Sequence, residues 1–131
     1  MPGKPKQYYK EKRQAAYLLG ILGEWVVLLL LLLKGYHIRA RRYRCPVGEV
    51  DMIAFRGRTI IFVEVKTRHR SEDAAELPLS ATQRRRISRA AAMYIAKHPE
   101  FATFNVRFDL VVVRPWCWPR FYRNAWMEET Q

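Results

Sequence analysis

GEVDMIAFRGRTIIFVEVKTR, residues 48–68, sets two alternating apolar runs on either side of a Gly-Arg pair. Val50, Met52 and Ala54 alternate with Asp51, Ile53 and Phe55; Ile61, Val63 and Val65 alternate with Ile60, Phe62, Glu64 and Lys66. A period of two is the pattern of β-strands. A type II′ hairpin turn wants glycine at its first central position, where the backbone takes φ > 0. Gly57-Arg58 meets that need, so Arg56 pairs with Thr59 and, counting outward, Asp51 falls opposite Glu64. Directly opposed residues of an antiparallel pair share a face, with Cβ atoms about 4.5–5.5 Å apart. Two carboxylates therefore point into one small volume. Lys66, two residues on along the same face, offsets part of their repulsion, and a bound divalent cation would offset more. The second strand is apolar on both faces, which predicts a central strand covered from both sides.

A chain of 131 residues forms one domain with a real core. We expect a basic arm over 1–14, the domain over 15–127 and a tail over 128–131. Lys and Arg number 24 against 12 acidic residues, a formal +12. That balance points to a polyanionic partner, nucleic acid before an anionic membrane. Cys45 and Cys117 are too few for a disulfide framework and lack metal-ligand spacing. They read as reduced thiols of a cytoplasmic protein.

Met1 to Arg13, with five cations and two prolines, reads as a flexible arm. Tyr17 to Leu33 is apolar apart from Glu24 and ends in six consecutive leucines. It falls short of the ~20 residues of a spanning helix, and Glu24 would be costly in hydrocarbon. We expect a soluble helix buried against a sheet on one side, with a partner as the candidate cover for the other, closed by Lys34 and a C′ glycine at Gly35; membrane contact is the disfavoured alternative. A carboxylate within such a helix must be paired or ligated. Glu24 is either the partner of one of the arginines or a further metal or water ligand.

Tyr36 to Arg44 alternates as a first, edge strand, and its arginines either guard the edge or grip phosphate. Ser71 to Glu76 reads as a mobile acidic loop. Ser80 and Gln83 form a capping box opening a helix that runs to about Lys97 before Pro99. Gln83 either completes the cap or reaches the acidic site. Arg84, Arg85, Arg86 and Arg89 make the densest basic cluster and, with Arg42, Arg44 and Arg68, are the expected phosphate contacts. Asn105 to Val113 is a further strand, with Asp109 free to pair a neighbouring arginine, and Phe121 to Trp126 adds a short edge strand. Between them, tryptophans interleave with arginines; such aromatics either stack on unpaired bases or close the core.

The motifs Gly23-Glu24, Gly48-Glu49-Val50-Asp51-Met52-Ile53, Phe62-Val63-Glu64-Val65-Lys66-Thr67-Arg68, Arg107-Phe108-Asp109-Leu110-Val111 and Asn124-Ala125-Trp126 together resemble the YraN-type family. These are small bacterial proteins predicted to be endonucleases and similar to archaeal Holliday-junction resolvases, within the PD-(D/E)XK nucleases. The resemblance implies an α/β restriction-endonuclease-like core, a mixed central sheet flanked by helices. It further implies Mg2+ or Mn2+ held by Asp51, Glu64 and Glu24, Lys66 as catalytic lysine, Gln83 and Glu24 in support, and no small-molecule cofactor. DNA is the implied partner, with a homodimer where paired cuts are made. The chain departs from the pattern in lacking the asparagine of the arginine-rich first strand and in its very apolar leucine run. A DNA-binding protein with a vestigial acidic site is the alternative, and it predicts binding without metal dependence.

Overall fold

The computed structural model describes residues 3–68 and 79–126. Its order is α1 (Lys6–Leu33), β1 (His37–Cys45), β2 (Gly48–Arg56), β3 (Thr59–Thr67), α2 (Ala81–Lys97), a short 3-10 turn (Pro99–Phe101), β4 (Asn105–Val113) and β5 (Arg120–Trp126). The strands form one sheet in the order β1-β2-β3-β4-β5. Only β3 and β4 run parallel, and α2 lies in the connection between them, as a parallel crossover demands. The expected acidic loop lies outside the described residues.

The hairpin forms as its turn chemistry requires. Gly57 has φ 60, Arg56 pairs with Thr59, and the ladder continues to Met52↔Val63. Alternation then sorts side chains onto the two faces. Val50, Ile53, Ile60, Phe62, Phe108 and Leu110 pack with Ile87, Ala91 and Tyr94 of α2. Met52, Ala54, Ile61, Val63 and Val111 pack with Val27 and Leu31 of α1. Ile60 through Val63 have no exposed surface, so β3 is the doubly covered centre. Each buried large apolar side chain contributes about 1.5–3 kcal/mol, and β3 places four of them in succession with no exposed surface.

α2 begins with the expected capping box, Ser80 Oγ accepting from Gln83 N–H and Gln83 Oε1 accepting from Ser80 N–H, both at 3.1 Å. Gly48 fixes how closely α2 approaches the start of β2. A Cβ there would lie 1.9 Å from the Arg86 carbonyl oxygen, an impossible contact with backbone.

α1 departs from expectation twice. Its helix starts at Lys6, so Lys6, Lys10, Lys12 and Arg13, expected on a flexible arm, are helical. The reason is composition: after Pro5 at the N-cap no glycine or proline intervenes before Gly20, and Lys, Glu, Arg, Gln and Ala are good helix formers. Nor is α1 a core helix along its length. Only Gly23, Val27 and Leu31 are buried, whereas Tyr17, Leu18, Leu22, Trp25, Val26, Leu29, Leu32 and Leu33 are exposed. By length and composition alone α1 would also pass as a spanning helix. A single sheet face gives it one narrow stripe of contact, and the leucine run is wider than that stripe.

Candidate active site

The hairpin's ladder stops one pair short of the residue that matters. Asp51 leaves it, and its Oδ2 accepts the Val65 N–H at 2.8 Å. The neighbouring strand is irregular at the same level. Arg42 has φ 51, and the β1–β2 pairs skip from Arg41↔Met52 to Tyr43↔Val50. A left-handed arginine is uncommon and costs of order 1 kcal/mol or more. It turns both strands over, so that Met52 packs on the α1 side and Val50 on the α2 side. The expected Asp51–Glu64 ladder pair is therefore corrected: Asp51 replaces a ladder bond with a side-chain bond.

The two carboxyl groups meet all the same. Glu64 is pushed up to about 9 by burial first, then by its hydrogen bond to Asp51 and the charge of that carboxylate, with Lys66 pulling the other way. Burial first, and Asp51 after it, thus favour the protonated form of Glu64 at neutral pH. Lys66 has no hydrogen bond or ion pair among the described residues, and it lines a cleft of about 120 Å³ with Glu49, Glu64, Gln83, Arg86 and Ile87. Of the two expected jobs of Gln83, its Oε1 completes the cap, and its side chain also borders the cleft of Glu64 and Lys66.

Glu24 stands apart from that group. It lines a second cleft, about 340 Å³, with Arg42, Asp51, Tyr43 and Thr67. Its Oε2 accepts from Arg42 Nε at 3.2 Å and Nη2 at 3.1 Å. Of the two readings of Glu24, the arginine partner is the one seen. Among the described residues no three acidic, histidine or cysteine side chains gather as a ready metal cage. The structure thus brings Asp51, Glu64, Lys66 and Gln83 together and leaves Glu24 touching the group only through the Asp51 cleft. Glu49, given no role from sequence, lines both clefts and lies 3.6 Å from Arg44 and 4.0 Å from Arg86. Its place in the Gly48-Glu49-Val50-Asp51 motif was the available signal.

The arginines expected at phosphate are spread around these clefts. Arg42, Arg44 and Arg86 already pair with Glu24 and Glu49. Arg85 Nη2 donates to Thr82 Oγ1 at 3.4 Å, and Arg68 donates to the Thr67 carbonyl. Arg84 has its Nε buried with no hydrogen-bond partner among the described residues, and Arg89 is exposed. Asp109 is the structural acid: Arg107 donates to both of its oxygens, at 2.9 and 2.8 Å, and to Tyr36 Oη at 2.8 Å.

Comparison with known proteins gives the family and the fold. A 46% identical relative from Parvibaculum lavamentivorans aligns over 86% of this chain and 84% of its own, one from Methylorubrum extorquens is 46% identical over 87% and 88%, and one from Ehrlichia ruminantium is 39% identical over 92% and 94%. All three are described as UPF0102 proteins. A solved structure, a Holliday junction resolvase from the archaeal hyperthermophile Archaeoglobus fulgidus, superposes with a TM-score of 0.52 over 86% of this chain and 83% of its own, at 23% identity. That likeness is one of fold, a five-stranded mixed sheet with flanking helices of the restriction-endonuclease-like class. The model of the uncharacterised protein family UPF0102 matches residues 23–113, so the chain belongs to that family, the YraN-type group its motifs resemble.

Proposed function

We propose that the protein is a metal-dependent endonuclease that hydrolyses phosphodiester bonds in DNA, branched or otherwise structured. One observation carries the proposal: the carboxyl groups of Asp51 and Glu64 meet in a hydrogen bond, and Glu64 shares a cleft with a lysine that makes no ion pair among the described residues. A purely structural acid would be neutralised, as Asp109 is by Arg107.

The donor set suits Mg2+ or Mn2+, because two carboxylate oxygens from adjacent strands leave the rest of a hard cation's shell to water and phosphate. When bound, the ion supplies Lewis acidity and a nucleophile at neutral pH. Asp51 is held in place by the Val65 amide, and Glu64 must release its proton to bind. Lys66 then orients the attacking water or offsets charge developing on the phosphate. Gln83, its oxygen engaged in the cap, has an amide nitrogen for the scissile phosphate. Arg84 and Arg89 lie on α2, whose first turns border the same cleft, and would hold the backbone without reading sequence. Glu24, which shares a cleft with Asp51, would be available to help hold the ion if Arg42 were drawn off to phosphate. Symmetric cutting of a junction calls for two copies of the chain.

The test incubates the protein and its Asp51→Asn variant with plasmid, single-stranded and four-way-junction DNA, in Mg2+, Mn2+ or EDTA. We expect metal-dependent cutting by the wild type alone. The engagement of Glu24 with Arg42 favours the second reading, a DNA-binding protein with a vestigial site; binding without cutting under every condition would establish it.

A further inference from the structure

The chain between β4 and β5, Arg114-Pro115-Trp116-Cys117-Trp118-Pro119-Arg120, carries two indoles that the fold does not use. Trp116 is 93% exposed and Trp118 85%, whereas Trp126 at 7% is stacked on Phe108 in the core. Large aromatics seldom stand clear of a small domain without a partner. The loop backbone is also restricted. Prolines flank the pair, and the Cys117 N–H closes a turn onto the Arg114 carbonyl, with Trp116 at φ 62 within it. Holding a ring in place beforehand lowers the entropy lost on binding.

Location and charge name the partner. Val113 pairs with Thr67 and accepts the Arg68 N–H, so the loop leaves β4 at the end of the sheet where β3 carries Glu64 and Lys66. From Arg114 to Trp126 there are three arginines and no acidic residue. Exposed rings among cations are what a nucleic-acid strand with unstacked bases requires, rings taking the bases and guanidiniums the phosphates. A fully paired duplex offers such a loop only its backbone.

We propose that Trp116 and Trp118 form a stacking platform for unpaired nucleobases, placing a single-stranded or splayed segment of DNA beside the acidic site. This rests on the nuclease reading for its purpose but not for its detection.

The experiment measures anisotropy of a labelled oligo-dT, a blunt duplex and a four-way junction in EDTA, where no cutting occurs, with the wild type, Trp116→Ala/Trp118→Ala and Trp116→Phe/Trp118→Phe. We expect the alanine pair to weaken oligo-dT binding by about tenfold or more, the phenylalanine pair to retain most of it, and duplex binding to change by less than about twofold. Circular dichroism of the variants confirms that the fold is kept. Equal oligo-dT affinity of the alanine pair and the wild type, equal losses on oligo-dT and duplex, or no oligo-dT binding by the wild type would each overturn the platform. Cutting assays with Asp51→Asn separate the two ideas: an inactive protein whose oligo-dT binding depends on the tryptophans removes the nuclease and leaves the platform, and an active one indifferent to them does the reverse.

Discussion

Asp51 and Asp109 answer the same local problem and end in opposite states. Each sits where a ladder is broken, Asp51 beside the Arg42 kink and Asp109 at the shift between β4 and β5, and each accepts a backbone N–H across the break, from Val65 at 2.8 Å and from Asn124 at 2.9 Å. Asp109 is then finished: it is 3% exposed and Arg107 grips both oxygens. Asp51 is not, since its near neighbour is another carboxyl. Satisfied charge marks scaffold, and charge left over marks a place where something else is to bind.

The largest expected effect falls on the finished site. Asp109→Asn leaves the Arg107 guanidinium, itself mostly buried, without its counter-ion, and breaking a buried pair in this way costs about 3–5 kcal/mol. Thermal or urea unfolding should show that loss, while metal-dependent cutting by the fraction still folded stays unchanged. A loss below about 1 kcal/mol would erase the contrast between the two aspartates.

Asp51→Asn should do the opposite. Asparagine keeps an oxygen for the Val65 N–H, so the unfolding midpoint holds or rises, while cutting falls by at least about a hundredfold. Lys66→Ala should lower cutting by a similar or smaller factor and, having no ion pair among the described residues to lose, change stability by less than about 0.5 kcal/mol. A destabilised Asp51→Asn with undiminished cutting would make Asp51 another scaffold acid.

This contrast was half legible in the sequence. The Gly57-Arg58 turn fixed the register, and the register led to Asp51 and Glu64, because turn chemistry and period two are local rules. The break at Asp51 is not local. It coincides with Arg42, in another strand, adopting a left-handed backbone with no glycine or asparagine to announce it. The same limit applies to α1. Composition reports that Tyr17 to Leu33 is apolar, but how much of that surface is covered depends on the width of the sheet face beneath it, and only Gly23, Val27 and Leu31 reach cover. Glu24 was readable as a carboxylate in need of a partner; that the partner would be Arg42 required the kink. The capping box and the doubly covered β3 were readable outright, since each follows from residues a few positions apart.

The smallest effect is the most direct test of charge left over. In the fold Glu64 holds its proton to about 9, whereas in the unfolded chain it ionises near its ordinary value of about 4.3. Between those limits the native state binds more protons than the unfolded state, so this group's contribution to stability is whole below the lower value and is lost as pH rises toward the upper one, with a slope of at most about 1.4 kcal/mol per pH unit. Glu64→Gln removes the titration and the repulsion, so it should be more stable than the wild type at pH 8 and less so at pH 5, with a flatter stability profile between. Mn2+ or Mg2+ should act on the wild type in the same direction, stabilising it more as pH rises, because binding the ionised pair releases the Glu64 proton. The glutamine variant should lose that pH-dependent gain. A wild type and variant with parallel profiles would mean that Glu64 is already neutralised within the fold, as Asp109 is, and that the site waits for nothing.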